Sequence, residues 1–568
     1  MTGPVNNRKR NKSQDKQSLN WIIKISKPQL PTIIAIIICE AIWAVFGTVT
    51  ALFSMEIVNS AVAGNKNRMF LYIGIYLAVA LSLIGVHAIM RYVTERCKAR
   101  LEILFKKQVF HSMLIKSYPG LSVHHTGELV NRLTGDVGVI SDATTTIIPQ
   151  VVMMTVRIIC AMVVLIRLQW QFAMYFAVAG LVILGAARLL KGKIKKFHAE
   201  MQQADGKTRS FWQEIFENLI AIKSFAAEEK SVEKADLLLK AHYKVRMKRS
   251  AVSTVSMFFT GFVVRLGHLF AIGYGAFCLY SGTMDYGTLT ALIQLVGQVQ
   301  QPFAHMSGIM PRYYSALTSA QRLMDIEDLE NDSLNGERVN AEKVYENMEK
   351  IEATAIDFHY DRDNQVLENC SFYINKGDFV SITGMSGIGK STMFKILLDI
   401  YPKSNGDTYI VGHDYKIPLS GLTRTMFAYV PQGNMLLSGT IKESLTFITG
   451  SEKITEEKIE KALECACAKD FISELPNGLE TVIGENSTGL SEGQAQRIAI
   501  ARAILSEAPI LLFDEATSAL DEQTEAKLLE NIKNMTDKTC IIVTHRKAAL
   551  DICNRHFVVE NKNIIERQ

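Results

Sequence analysis

The sequence has little cysteine and little net charge. Nine cysteines are scattered through 568 residues. Only Cys465 and Cys467 lie close together, and one C-x-C on an expected helix is not a metal-binding spacing. The pattern excludes a disulfide-built secreted scaffold, and nine free thiols in a reducing compartment are expected. The net charge of +5 excludes a strongly basic nucleic-acid binder, because the basic residues fall in a few polar segments between apolar runs. A short apolar stretch with a cleavage site is missing from the beginning. The first residues are basic and polar and the first apolar run is too long for a signal peptide, so neither a cleavable signal peptide nor a peptidase-like domain is expected ahead of it.

Long apolar runs are abundant. Hydrophobic residues make up 48% of the chain and collect in its first half. The runs are Thr32 to Met55 (broken only by Glu40), Met69 to Met90, Ile147 to Ile166, Phe172 to Leu190, Val252 to Tyr280 and Leu289 to Pro311. Each approaches or exceeds the roughly 20 residues that cross a bilayer as helix. Six membrane helices are therefore expected, with the break between the third and fourth inside Arg167–Gln171. The links near Gly64, Gln169 and Gly282 are short. Those at about 91–146 and 191–251 are long, polar and rich in Lys and Arg, as is the segment Arg8-Lys9-Arg10. The positive-inside rule places these segments in the cytoplasm. The long links keep helical periodicity, so the membrane helices are expected to continue beyond the bilayer. Leu19 to Ile25 is amphipathic and suits an interfacial entry helix.

The second half carries nucleotide chemistry. Gly384, Gly389, Lys390 and Ser391 fit G-x-x-x-x-G-K-[ST], after a β-branched run at Phe379–Thr383 and before a helical one from Thr392. Glycines such as Gly384, Gly387 and Gly389 let backbone N–H groups, with those of Ser386 and Thr392, turn toward phosphate oxygens. Lys390 is placed to reach the β- and γ-phosphates, and Ser391 to offer its hydroxyl to Mg²⁺. Asp514 ends the apolar run Ile510–Phe513, where a buried parallel strand would present it beside that loop as a second Mg²⁺ group. Glu515 follows it and suits the activation of an attacking water.

With these motifs in order, the sequence resembles the ATP-binding cassette transporters, in the exporter form that fuses membrane and nucleotide domains. Leu490-Ser491-Glu492-Gly493-Gln494 resembles the family signature LSGGQ, and Gln496-Arg497-Ile498-Ala499 continues the likeness. Gln432 resembles the glutamine that touches Mg²⁺, Ser518 to Asp521 the D-loop, and His545 the switch histidine at the γ-phosphate. Tyr360 resembles the aromatic residue that stacks on adenine. The likeness implies that Ser491, Gly493 and Gln494 face ATP held by a second subunit, with Ser491 and Gly493 capping a helix toward its phosphate. His125–Thr134 and Glu217–Phe225 resemble the stretches beside the two coupling helices.

Two departures stand out. Glu492 occupies a glycine position of the signature, and Asn486-Ser487 stand where many exporters carry Arg-Gly after Gly484-Glu485. A homodimer of half-transporters is expected. A heterodimer with one weakened ATP site is the alternative that Glu492 opens, and an ATP-gated channel or regulator is a further one.

Charge within a membrane span marks candidates for contact with cargo. Glu40, Arg157, Arg265 and His268 qualify, and Gln294, Gln298 and Gln301 form a polar stripe on the sixth span. Interhelical hydrogen bonding is the competing reading for each. The expected fold is an all-α six-helix membrane domain followed by an α/β P-loop nucleotide domain. Its segments are a cytoplasmic N-terminus (1–30), the membrane domain (31–325), a charged linker (326–340) and the nucleotide domain (341–568). ATP, Mg²⁺, a second half-transporter chain, the lipid bilayer and an exported small molecule, lipid or peptide are the expected partners. A bacterial plasma membrane is the expected location, with the nucleotide domain in the cytoplasm.

Overall fold

A computed structural model describes residues 12–567 apart from 335, 361–364, 434–435, 448–453, 485–486 and 536. Arg8-Lys9-Arg10, Glu485 and Asn486 lie outside the described residues. The chain divides into two compact units.

The first unit comprises residues up to 110 and 126–325. It is helical: α1 (Lys12–Ser26), α2 (Leu30–Val62) and α3 (Lys66–Leu114) come first. After α4 (Tyr118–Ser122), which belongs to the second unit, come α5 (Thr126–Asn131), α6 (Val137–Asp142), α7 (Ile148–Leu168), α8 (Trp170–Glu217), α9 (Leu219–Ser224), α10 (Glu228–Tyr280) and α11 (Tyr286–Glu327). The six long helices α2, α3, α7, α8, α10 and α11 contain the six apolar runs. The helix α3 has 49 residues, or about 74 Å at 1.5 Å per residue, against a hydrocarbon core of about 30 Å.

Four of these helices, α2, α3, α7 and α10, satisfy both length and apolarity among the described residues. In α8 the described apolar stretch is the shorter Trp170–Val182. The helix α11 is diluted by its glutamines and bears Pro302 and Pro311 internally. The break between α7 and α8 narrows to Gln169, extended at φ −159° and ψ 100°. Trp21 on α1 packs 5.6 Å from Phe105 on α3.

The second unit joins residues 111–125 to 326–568. Its strands are β1 (Met348–His359), β2 (Gln365–Asn375), β3 (Phe379–Thr383), β4 (Asn405–Gly412), β5 (Lys416–Pro418), β6 (Phe427–Val430), β7 (Gly439–Thr440), β8 (Val482–Ile483), β9 (Ile510–Asp514), β10 (Thr539–Val543), β11 (Arg555–Glu560) and β12 (Asn563–Arg567). Its helices after α4 are α12 (Ala341–Glu346), α13 (Lys390–Leu397), α14 (Ile441–Thr446), α15 (Glu456–Cys465), α16 (Lys469–Glu474), α17 (Glu492–Leu505), α18 (Glu522–Lys533) and α19 (Lys547–Ile552).

The central sheet has the order β12-β11-β3-β10-β9-β6, parallel except for β12 at one edge. An antiparallel sheet, β2-β1-β4-β5, stands beside it. The strands β9 and β10 are buried along their whole length, which explains their unbroken apolar runs. Alternate residues serve opposite cores. Leu511 and Phe513 pack with Ile441, Leu463 and Ile498, while Ile510 and Leu512 pack with Ile351, Phe358 and Met393.

The segment 326–334, expected as a plain charged linker, is tied into this unit. Ser117 N–H donates to Glu330 O at 3.0 Å, and Asp332 N–H donates to Ile115 O at 2.9 Å. Lys116, 8% exposed, donates to Glu327 O, Leu329 O and Asn331 Oδ1 at 2.6–2.8 Å. Arg424 forks onto Asp332 and also donates to Leu398 O and Asp399 O, just past the end of α13.

Candidate functional site

The parallel sheet brings the carboxyl ends of β3, β6, β9 and β10 to one edge, where ligands bind in open α/β sheets. The loop Gly384–Gly389 leaves β3 there. Gly384, Gly387 and Gly389 have φ of +146°, +78° and +114°, in the region that favours glycine. A Cβ at Gly384 would stand 2.7 Å from Val559 O, and one at Gly389 would stand 2.5 Å from Val366 Cγ1. Gly389 caps α13 without a side chain, so the first N–H groups of that helix stay available to an anion.

Lys390, 6% exposed, donates from Nζ to Gly384 O and to His545 Nε2, both at 2.7 Å. His545 Nε2 therefore accepts, and the neutral ring carries its proton on Nδ1. Ser391 Oγ donates to Asp514 Oδ1 at 2.9 Å. Asp514 is 3% exposed, and burial raises its pKa while the bonds from Ser391 and Tyr429 hold it down. Gln432 Nε2 donates to Glu515 Oε2 at 3.0 Å. Glu515 has φ +52°, a strained setting for a glutamate, fixed by its N–H on Val543 O at 3.0 Å.

Tyr360 has its ring 4.8 Å from Phe358 and 5.1 Å from Tyr401, and its hydroxyl shares a 3.0 Å hydrogen bond with Thr392 Oγ1. Tyr360 is 38% exposed, and the Lys395 ammonium lies 5.7 Å from its ring centroid. One group of contacts thus links Tyr360 to Thr392, Lys390 to His545, Ser391 to Asp514 and Gln432 to Glu515.

The signature residues form a second group. Ser491 caps α17 by accepting from Gln494 N–H, and Gln494 Oε1 accepts from Ser491 N–H at 2.8 Å, which makes a capping box. Gly493 differs from the expectation of a cap. It is the second residue of α17, and its Cβ would meet Ala519 O at 2.8 Å, so it lets the 518–521 loop approach closely. Glu492 is exposed in the first helical turn, where a negative side chain suits the helix dipole. Asp521 uses its carboxylate to cap α18 through Thr524 N–H at 2.9 Å, which lowers its pKa. Among the described residues, no hydrogen bond of Ser491 or Gln494 reaches the first group.

Several further residues hold this arrangement. Gln496 clamps the 518–521 loop through Ser518 Oγ and Ala519 N–H, both at 3.0 Å. Arg546 donates to Thr517 O, Leu520 O and the carboxylate of Glu525, which is 1% exposed. Tyr429 Oη donates to Asp514 Oδ2 at 3.1 Å, and burial together with that carboxylate pushes its pKa far up, so the phenol keeps its proton. Burial likewise raises the thiol pKa values of Cys370 and Cys540, and pushes that of the half-buried Cys465 up to about 11.

In the first unit, the cargo candidates separate. Gln298 is occupied on both amide atoms: Oε1 accepts from Thr48 Oγ1 at 3.0 Å, and Nε2 donates to Gly47 O at 2.7 Å. Gln300 Oε1 lies 3.2 Å from His268 Nδ1, and its Nε2 donates to Val264 O at 3.0 Å. Arg265, three residues from His268, is exposed. Arg157 donates to Gln301 Oε1 at 2.9 Å and lies 4.9 Å over the ring of Trp43.

Comparison with known proteins agrees with both units. Residues 32–303 match the family model for the ABC transporter transmembrane region, and residues 367–518 match that for the ABC transporter. The chain belongs to the ATP-binding cassette transporter family. It is an integral membrane protein with an ATP-binding domain. An ABC transporter B family member of Dictyostelium discoideum is 28% identical over 97% of this chain, which spans 60% of that relative's length. A Staphylococcus aureus protein named for multidrug export, an ATP-binding/permease protein, is 27% identical over 96% of this chain and 93% of its own. The solved structure of a bacterial Atm1-family ABC exporter with ATP bound shares the fold, with TM-score 0.82, 22% identity and 95% coverage of both chains.

Proposed function

We propose that the chain is one half of an ATP-driven exporter that works by alternating access across the membrane, with ATP bound and hydrolysed at composite sites between the two nucleotide domains of a dimer. The observation that carries this is the split of the candidate ATP site into two built groups with no hydrogen bond between them among the described residues. Gly384–Thr392 with Tyr360 forms one half, and Ser491–Gln494 forms the other. A second chain would supply the complementary half to each.

In this reading the adenine lies on Tyr360, and the phosphates lie on the loop N–H groups and Lys390. The present acceptors of Lys390 are a carbonyl and a neutral imidazole, so phosphate oxygens, being charged, are the stronger acceptors. His545 is then released from Lys390 and is free to turn an N–H donor toward the γ-phosphate. Glu515, oriented by its backbone and by Gln432, takes the proton of the attacking water. A buried carboxylate and a hydroxyl in mutual contact, Asp514 and Ser391, fit Mg²⁺, with Gln432 as a further oxygen; the ion would neutralise phosphate charge. Dimer closure on ATP and separation after hydrolysis would be passed to the membrane helices.

The interhelical hydrogen bonds of Gln298, of His268 with Gln300 and of Arg157 with Gln301 favour structural roles for these residues and leave exposed Arg265 as the cargo candidate. Exposed Glu492 supports a second reading, in which the partner is a different half-transporter, because two copies of this chain would place a carboxylate near each nucleotide. The relative named for multidrug export supports the outward direction, and the basic cytoplasmic segments support a plasma membrane with the nucleotide unit inside.

The deciding experiment uses Glu515→Gln in the full chain. ATP binding within a few-fold of the wild-type value, with turnover lowered at least a hundredfold, is expected. Wild-type hydrolysis by that variant would remove Glu515 from the mechanism.

A further inference from the structure

The consecutive carboxylates Asp514 and Glu515, at the end of β9, are each held by a side chain from the neighbouring strand. Tyr429 on β6 donates to Asp514 Oδ2 at 3.1 Å, and Gln432, two residues beyond the end of β6, donates to Glu515 Oε2 at 3.0 Å. The strands β6 and β9 pair in parallel, with Tyr429 opposite Leu512. The edge strand and the segment just after it therefore reach both carboxylates.

We propose that Tyr429 is a positioning residue for Asp514: its hydroxyl fixes the carboxylate so that Oδ1 faces Ser391 and the metal–phosphate position. The inference rests on the nucleotide-site reading above. Asp514 has one donor on each oxygen, Ser391 on Oδ1 and Tyr429 on Oδ2. Two donors on opposite sides stop rotation about the Cβ–Cγ bond, and the loss of one frees it. The Tyr429 ring is itself fixed, edge-on to Phe394 with centroids 5.9 Å apart. Phe394 is fully buried on α13, the helix that begins with Lys390 and Ser391. The hydroxyl thus ties the metal-binding carboxylate to the phosphate-loop helix through a rigid ring rather than through a flexible chain. A glycine loop and an aspartate at a strand end are visible in sequence, whereas this tie appears only once β6 is placed beside β9.

The substitution Tyr429→Phe keeps the ring on Phe394 and removes only the hydroxyl. The test uses the full-length protein in lipid nanodiscs with two readouts: the Mg²⁺ concentration that half-saturates ATP hydrolysis, and binding of TNP-ATP in EDTA. Tyr429→Phe is expected to raise the half-saturating Mg²⁺ about tenfold, the loss of one hydrogen bond to a charged acceptor, while metal-free TNP-ATP affinity stays within twofold. Manganese titration followed by electron paramagnetic resonance supplies a readout that does not need turnover and is expected to weaken by the same factor. In an Asp514→Asn background, adding Tyr429→Phe is expected to change manganese binding less than twofold.

An unchanged metal requirement in Tyr429→Phe overturns the inference, as does an equal loss of metal-free nucleotide binding or full additivity with Asp514→Asn. A wild-type protein without Mg²⁺-dependent ATP hydrolysis would instead overturn the nucleotide-site reading itself.

Discussion

Arg424→Ala should release the segment 115–117 from the linker without unfolding the nucleotide unit. Arg424 makes four hydrogen bonds, two to Asp332 and one each to Leu398 O and Asp399 O. A hydrogen bond to a charged group contributes about 1.5–3 kcal/mol at best. The pair is partly exposed, with side-chain accessibilities of 29% and 17%, so screening and non-additivity reduce the sum. A local loss of about 2–3 kcal/mol is a reasonable net figure, which corresponds to roughly 30- to 150-fold faster opening equilibria. Two amides report it directly, Ser117 N–H on Glu330 O and Asp332 N–H on Ile115 O. Hydrogen exchange of the full chain in nanodiscs should show both amides losing protection by that factor, while amides of β9 and β10 stay unchanged. Asp332→Ala should do the same, and the double variant should add less than 1 kcal/mol to either single one. Protection within twofold of wild type at Ser117 and Asp332 would refute the idea that Arg424 holds this joint.

Three further outcomes are expected. Gly493→Ala places a methyl 2.8 Å from Ala519 O, so the 518–521 loop must move; ATPase activity should fall at least tenfold, and wild-type activity would show that the loop yields freely. Glu492→Gly should raise the ATPase rate of the single-chain assembly about three- to tenfold if its charge opposes nucleotide across a dimer, and an unchanged rate would place the carboxylate away from phosphate. Asp399→Asn concerns a carboxyl whose pKa burial raises, with Ser333 and Arg424 only partly offsetting this. A raised folded pKa means its stabilising contribution is complete below the ordinary carboxylate pKa of about 3.9 and is lost as pH climbs through the folded value. Asn, which tolerates the left-handed φ of +49° at this position, should therefore stabilise the nucleotide unit at pH 8 and give no gain near pH 4, as read by thermal unfolding at both values.

Much of this architecture is legible in the chain because it is written in local patterns. Apolar runs of about twenty residues announce the membrane helices, and the glycine loop between a β-branched run and a helix announces the phosphate site. The sixth helix is harder, because Gln294, Gln298, Gln300 and Gln301 lower its apolarity; three of these, Gln298, Gln300 and Gln301, bond to neighbouring helices. What local pattern cannot express is pairing across distance. Lys116 with Asn331, Arg424 with Asp332 and Tyr429 with Asp514 are ordinary polar residues until the fold brings them together. Gly493 is another case. Its place in a signature suggested a cap, whereas its missing side chain makes room for a backbone carbonyl of another loop.

The joint around Lys116 also bears on how the protein is made. Lys116 and Asn331 are 215 positions apart. At roughly 5–20 residues per second, the ribosome needs on the order of ten to forty seconds to supply the second partner after the first. During that interval the loop 111–125 has left the ribosome, but the domain it belongs to does not yet exist. Its final structure is thus a late, non-local event, of the kind that slows folding and lengthens exposure to proteases and chaperones. Lesions at Lys116, Asp332 or Arg424 would then appear first as reduced abundance of the protein in its membrane, before any change in the turnover of the molecules that survive.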